Sequence, residues 1–187
     1  MLSGTSCGIV FSFILSRTPC SMFIAHLPAG YLSAHYLHPR FAAAGVARKL
    51  FVWAALIGSV APDLDLFYFY LVDHRRTPHH LYWSHYPLVW ALALAACGMW
   101  LYLARRKAPA ALATVFCIGA AGHILLDTIV GEIYWRAPFA WEATALFSVP
   151  SLYHPWWLNF FLHWSFAFEI ALLAWALVLA RTTRKRP

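Results

Sequence analysis

Long hydrophobic runs separated by short polar clusters organise this chain. Three of the runs are long, and they cover residues 86–104, 108–131 and 156–180. At about 1.5 Å per residue, a helix of this length can cross a hydrocarbon core of about 30 Å. The pattern therefore predicts three membrane-spanning helices.

A fourth hydrophobic run is interrupted by polar residues. It extends from Leu50 to Ala61, meets Pro62 and two aspartates, and resumes as LFYFYLV at residues 66–72. Proline ends a helix, and irregular backbone at membrane depth is tolerated where it lines a polar cavity. We expect a broken helix that crosses most of the membrane and ends at a polar site.

A shorter run, MFIAHLPAGYLSAHYL at residues 22–37, contains Pro28 and Gly30. It predicts a tilted or half-inserted helix. The expected fold class is thus all-α: an integral membrane helical bundle with about four transmembrane helices and a short N-terminal membrane-associated helix.

The first 21 residues differ from the rest of the chain. Their nine-residue apolar run CGIVFSFIL has no positive charge before it and no A-x-A cleavage site, so it makes a poor signal peptide. We expect residues 1–21 to be a non-native or leader extension, with Met22 as the native start, and residues 22–187 to form a single membrane-embedded domain. The other interpretation is an ordinary leading membrane segment.

Composition supports a membrane protein. With 62% hydrophobic and 11% charged residues, the chain has too little polar surface for a soluble globule. The net charge of +7 lies in short clusters between the apolar runs, which is typical of a membrane topology signal, so no nucleic-acid partner is expected. The cysteines form no C-x-x-C pair and are predicted to be small core residues: Cys7, Cys20, Cys97 and Cys117.

The basic clusters also predict an orientation. Most of them fall at one end of the spans, namely Arg40, Arg48, Lys49, residues 105–107 and residues 181–186. By the positive-inside rule this end faces the cytoplasm, while most acidic residues lie at the opposite end. We expect an integral protein of a bacterial inner membrane whose polar site faces away from the cytoplasm.

Imidazoles and carboxylates gather at that opposite end. His123 and Asp127 in GHILLD are spaced i and i+4, so they point from one face of a helix. PDLD contributes Asp63 and Asp65, and an outer loop carries four histidines: His74, His79, His80 and His85. Neutral imidazole and carboxylate are ligands for zinc, manganese or iron, and buried ionisable groups in a membrane are costly unless paired or bound. A divalent metal site is predicted, with zinc favoured over manganese.

Several other polar residues have two interpretations. His163 lies at a similar depth to the predicted site, whereas His35, His38 and His154 are expected to be ordinary structural histidines. Glu169, halfway through the last span, belongs either to a proton or ion path or to a hydrogen bond with a neighbouring helix.

Four blocks of the sequence resemble the membrane-bound metal-dependent hydrolases of the YdjM type. They are AHLPAGYL (25–32), GSVAPDLD (58–65), HHLYWSHYP (79–87) and GHILLDT (122–128), in the order found in that family. The family's His-Arg-x-x-Thr-His pattern lays its histidines on His80 and His85, with Ser84 in place of threonine. Leu81 stands where an arginine is usual. If that arginine binds a substrate phosphate, this chain is expected either to use another group, Arg75 or Arg76, or to act on a different substrate.

More remotely, the chain is similar to the zinc-dependent phospholipase C and P1 nuclease group. That resemblance implies phosphoester hydrolysis with one or more bound ions, catalytic roles for Asp65 and Asp127, and a ligand set. The implied ligands are His26, Asp63, Asp65, His80, His85, His123 and Asp127.

Two functions from different classes remain. The first is a membrane-embedded metal-dependent hydrolase of a phosphoester, in a lipid or lipid-linked substrate at the outer leaflet. The alternative is a metal or proton transporter, or a metal-stabilised membrane scaffold without catalysis. A transporter needs polar residues along a path to the cytoplasm, whereas the cytoplasmic halves of the spans are almost wholly apolar, which favours the enzyme. The substrate and the oligomeric state stay open.

Overall fold

The computed structural model describes residues 24–155 and 157–184. The predictions for residues 1–21, including Cys7 and Cys20, lie outside the described residues. The described part of the chain is helical and contains no strand, only an isolated bridge between Ile133 and Thr144. Its α-helices are α1 (His26–Leu37), α2 (Arg48–Gly58), α3 (Asp65–Leu71), α4 (Pro87–Leu103), α5 (Lys107–Val130), α6 (Trp157–Phe161) and α7 (Trp164–Arg184).

Two of these helices, α5 and α7, are long and apolar enough to cross a membrane. A third candidate span is the pair Arg48–Gly58 and Pro62–Leu71, which is bent by 55° at the break between its halves. This break confirms the predicted interruption at Pro62. Helix α4 is apolar but has only 17 residues, so the four-span bundle is not confirmed. The chain is compatible with a membrane protein.

Helix α5 is the centre of the bundle. It packs against α1, α2 and α4, whereas α7 lies mainly against α1. Small residues let the helix backbones approach closely: a Cβ atom added at Gly119 would lie 2.5 Å from the carbonyl oxygen of Ala55 and 2.8 Å from the backbone nitrogen of Ser59. This close packing of α2 on α5 fixes the position of the residues that follow α2.

We expect Gly119→Ala to destabilise the protein. The added methyl group has no room against the α2 backbone, and overpacking of this kind costs about 1–3 kcal/mol, more than the gain of up to about 1 kcal/mol in helix propensity. Thermal unfolding in detergent measures the effect. Gly122→Ala is the matched control on the same helix, because a Cβ there meets nothing within 4 Å. Equal melting temperatures for both variants would show that α2 and α5 are not tightly packed.

Three short 3₁₀ helices complete the polar end of the bundle. Pro62–Leu64 follows the break after α2, and His79–Leu81 and Trp83–His85 precede α4. Proline is favourable in the first turn of a helix, where its missing N–H is not needed, and Pro87 begins α4 in this way. The histidine-rich loop thus consists of two tight turns, and it contacts the end of α5 through His80 and Asp127.

The prediction that the cysteines are core residues holds for Cys117, which is buried, whereas Cys97 is half-buried. Both are free thiols, and their sulfur atoms lie 3.8 Å apart where α4 meets α5.

Candidate metal centre

Side chains from five parts of the chain meet at one end of the bundle. Helix α1 contributes its first residue, the break after α2 contributes a carboxylate, the two 3₁₀ turns contribute one histidine each, and α5 contributes its i, i+4 pair. These residues are His26, Asp63, His80, His85, His123 and Asp127. All except Asp63 are at most 3% exposed.

Asp127 lies between three imidazoles. The Nε2 atom of His123 is 3.0 Å from its Oδ2 atom, and the Nε2 atom of His80 is 3.7 Å from the same oxygen. The Nε2 atom of His26 is 3.4 Å from Oδ1, and the ring of His26 stacks on that of His123 with centroids 3.8 Å apart. Asp127 therefore joins α1, α5 and the histidine loop.

Asp63 lies on the other side of His123. Its Oδ1 atom is 3.4 Å from the Nε2 atom of His123 and 3.6 Å from the Nε2 atom of His85. The cluster contains three sets of donor atoms, and within each set all atoms lie within 4.8 Å of one another. The sets are His79, His80 and His85; His26, Asp63 and His123; and His85, His123 and Asp127. The structure thus brings together every residue of the implied ligand set except Asp65.

The spacing of the donor atoms fits a metal ion. Ligands bound to one tetrahedral zinc at 2.0–2.1 Å lie about 3.3 Å from one another. The five imidazole–carboxylate distances in the cluster are 3.0–3.7 Å. The buried Nε2 atoms of His80, His85 and His123 have no hydrogen-bond partner among the described residues. Their lone pairs and the carboxylate oxygens point at shared space that suits a cation.

Each of these three imidazoles is also oriented from behind through its Nδ1 atom. His123 donates to the carbonyl oxygen of Ser59 at 2.8 Å, and His80 donates to that of Glu132 at 3.1 Å. His85 donates to Asp65 at 2.8 Å. A hydrogen bond from one ring nitrogen fixes the tautomer and leaves the other nitrogen as the ligand, which is the usual arrangement at metal-binding histidines.

Asp65 lies behind His85 and outside all three sets of donor atoms. Its Oδ2 atom accepts hydrogen bonds from His85 and, at 2.5 Å, from the hydroxyl group of Ser84. The sequence predicted Asp65 as a ligand and catalytic residue. The geometry gives it the role of a carboxylate that orients a ligand.

The electrostatics of the histidine loop follow from burial and from the nearby carboxylates. Burial lowers the pKa of His80 to about 3, so its imidazole is neutral and its lone pair is available at physiological pH. Burial also lowers the pKa of His79. For His85, burial opposes protonation, but the nearby carboxylates of Asp63 and Asp65 outweigh it and raise the pKa. Carboxylates that attract a proton also attract a metal cation.

Asp63 is the most exposed member of the cluster. The side chain of Asp63 is 33% exposed, whereas the side chain of Asp127 is 1% exposed. The cluster is therefore more accessible to solvent at Asp63 than at Asp127. A metal site that keeps one accessible position is typical of catalytic centres, and a fully enclosed one is typical of structural centres.

The secondary candidates lie in different places. His79 joins the cluster edge, with its ring centroid 4.1 Å from that of His80. His163 contacts Ser165 through its Nδ1 atom at 2.9 Å, and Glu169 contacts the start of α1. Within the described residues, no set of metal-capable donors includes either of them.

The loop before the histidines carries the remaining candidates. His74, Arg75 and Arg76 are exposed, and the Arg75 guanidinium lies 5.3 Å from the ring centroid of Tyr70. His74 and Arg75 adopt positive φ angles of 50° and 64°. None of the three is in the sets of metal-capable donors formed by the described residues.

Sequence reasoning missed the groups that orient the histidines. Two of them are backbone carbonyls, of Ser59 and Glu132, which carry no sequence signal. Ser84 has a weak signal, since it precedes His85 and stands where the related pattern has threonine.

The chain matches no protein-family model, and no curated protein or solved structure is significantly similar to it. A function for the cluster therefore has to follow from the geometry and chemistry of its residues.

Proposed function

We propose that this protein is a membrane-embedded metal-dependent hydrolase that cleaves a phosphoester in a lipid or lipid-linked substrate. The observation that carries the proposal is the convergence of oriented imidazoles on Asp63 and Asp127. Three histidines donate their Nδ1 protons to outer acceptors and direct Nε2 at two carboxylates 3.0–3.7 Å away. The four sequence blocks that resemble YdjM-type hydrolases contribute the same residues.

In this proposal the buried residues hold one or more divalent ions, with zinc expected first and manganese second. A bound divalent ion polarises a phosphoryl oxygen and lowers the pKa of a coordinated water. Asp127 is enclosed by His26, His80 and His123, so it acts as a ligand. Asp63 is the most exposed carboxylate of the cluster, so in this proposal it would accept a proton from a water bound there.

The proposed setting is the outer leaflet of a bacterial inner membrane. Helix α4 is about 25 Å long at about 1.5 Å per residue, and we infer that it crosses the membrane beside α5. No residue of α4 is fully buried, and its exposed side chains are mainly apolar, as expected for a helix that packs on α5 with one face and contacts lipid with the other. The basic residues 105–107 then lie on the cytoplasmic side and the cluster opposite.

The buried lower half of α5 argues against a transport path. Between Ala110 and Ala120, the buried side chains of α5 with a heteroatom are Thr114, whose hydroxyl donates to the carbonyl oxygen of Ala110 at 2.7 Å, and Cys117, whose thiol lies 3.8 Å from that of Cys97. An ion moving along this part of α5 would meet no carboxylate or imidazole. An enzyme requires only one accessible side of its site, and Asp63 is the most exposed carboxylate of the cluster.

Metal removal tests the proposal. We expect detergent-purified full-length protein to contain a stoichiometric divalent metal, to lose it to a chelator, and to melt at a lower temperature afterwards. A ligand at 100 times its Kd stabilises the folded state by about 2.7 kcal/mol. Reloading with zinc or manganese should restore both the melting temperature and hydrolysis of bis(4-nitrophenyl) phosphate, 4-nitrophenyl phosphate or phospholipid in vesicles.

Elemental analysis and the three hydrolysis assays distinguish the outcomes. Well-folded protein that binds no metal after reconstitution would disprove the proposed function. Stoichiometric metal without hydrolysis of any of the probes would support the scaffold alternative, and metal flux into proteoliposomes would support a transporter.

A further inference from the structure

A buried carboxylate on α7 contacts the start of α1. Glu169 is 0% exposed and lies in the second turn of α7, which is a candidate membrane span. Its Oε2 atom accepts hydrogen bonds from the backbone N–H groups of Ile24 at 2.5 Å and Ala25 at 3.1 Å. The contact joins residues that are more than 140 positions apart in the sequence.

The N-cap residue of α1 provides no side-chain cap to the helix. A helix begins with four N–H groups that lack intrahelical partners, and serine, threonine, aspartate or asparagine usually caps them. Ala25 occupies the N-cap position without a side chain that accepts hydrogen bonds, and the first turn contains no acidic residue. Glu169 accepts instead from the N–H group of Ala25, at the N-cap, and from that of Ile24 just before it. A negative side chain is favourable at this end of the helix dipole.

The residue that follows Ala25 is His26. His26 is the first residue of α1, so the position of its backbone depends on how this helix begins. Its side chain is buried, stacks on the ring of His123 and lies 3.4 Å from Asp127. No side-chain hydrogen bond at the N-cap of α1 comes from α1 itself. The residue that is hydrogen-bonded to Glu169, Ala25, directly precedes the cluster residue His26 in the chain.

We propose that Glu169 is a positioning residue that holds His26 in the metal centre through the N-terminus of α1. This inference rests on the proposed metal site for its consequence, although the positioning itself is tested without metal. Partners outside the ligand shell typically change metal affinity by 10- to 100-fold when they are removed. We expect about 100-fold weaker metal binding for Glu169→Ala and about tenfold for Glu169→Gln, whose amide oxygen accepts only part of the original bonding.

The first measurement is independent of metal. Hydrogen exchange of the peptide covering residues 24–32, and modification of His26 by diethyl pyrocarbonate, are followed by mass spectrometry on chelator-treated full-length protein. Both should increase in Glu169→Ala relative to wild type. Ser165→Ala is the matched control, because Ser165 is buried on the same helix and its hydroxyl contacts His163. The control should leave both signals unchanged.

The second measurement is a double-mutant cycle of zinc affinity with His26→Ala. If Glu169 acts through His26, then Glu169→Ala has no further effect on affinity once His26 is absent. A general loss of stability would lower the affinity equally in both backgrounds, and that result would overturn the proposal. The graded Gln variant keeps the test usable if Glu169→Ala folds poorly.

The two measurements separate the inference from the proposed function. Wild-type protein without zinc binding would disprove the metal site, while exchange and His26 modification would still decide whether Glu169 positions α1. Unchanged exchange and unchanged His26 reactivity in Glu169→Ala would overturn the positioning role, whatever the metal content.

Discussion

Replacing Asp127 by asparagine should abolish stoichiometric metal binding and, with it, hydrolysis. Asp127 is 1% exposed and contacts the Nε2 atoms of His26, His80 and His123 at 3.0–3.7 Å. Asparagine keeps the size of the side chain but removes the negative charge that holds a cation among neutral imidazoles. The loss of affinity should exceed the approximately 100-fold effect that follows the loss of an outer partner.

Elemental analysis and zinc titration of the purified variant measure this effect. Asp73→Asn is the matched control: it makes the same chemical change at a carboxylate that accepts a hydrogen bond from the Thr77 backbone at 2.7 Å, outside the cluster. Both variants should melt within a few degrees of chelator-treated wild type. Full metal content in a folded Asp127→Asn protein would show that Asp127 is not a ligand.

Replacing Asp65 should weaken metal binding without abolishing it. Because Asp65 accepts the Nδ1 proton of His85, its removal loosens the orientation and lowers the basicity of that ligand. We expect Asp65→Ala to bind zinc 10- to 100-fold more weakly at unchanged stoichiometry, and Asp65→Asn to lose less, since its amide oxygen still accepts from His85 or from Ser84.

Competition with a chromophoric chelator gives the affinities, with Asp73→Asn again as the control. In a cycle with His85→Ala, the effects of Asp65→Ala should be strongly non-additive, because the two residues form one hydrogen-bonded unit. A complete loss of bound metal in Asp65→Ala, equal to that in Asp127→Asn, would return Asp65 to the ligand role that the sequence predicted.

Much of the cluster was accessible from sequence because its chemistry is local. His123 and Asp127 share a helix face through their i, i+4 spacing, and an apolar helix makes such a pair conspicuous. The interruption at Pro62 was equally visible, since proline after a hydrophobic run ends a helix. His26, in contrast, was predicted as a ligand only from the family resemblance. No other histidine or carboxylate lies three or four residues from it to indicate a shared site.

The roles of neighbouring carboxylates required the tertiary structure. Asp63 and Asp65 are two residues apart and chemically identical, yet Asp63 faces His123 while Asp65 lies behind His85. Asp63 is in the 3₁₀ turn Pro62–Leu64, and Asp65 is the first residue of α3. The change from one helix type to the other falls between them, so no single periodicity in the sequence could assign the two roles.

Composition and hydrophobic pattern were enough to predict a helical chain, apolar enough for a membrane, with imidazoles and carboxylates at one end of its hydrophobic runs. These properties depend on spacing along single helices, which is a local quantity. Which atoms meet follows from the tertiary structure. The carbonyl of Ser59 contacts His123 from 64 positions away, and Glu169 contacts Ala25 from 144 positions away. Such contacts depend on how closely α2 approaches α5 and α7 approaches α1, and that approach is set by packing of whole helices.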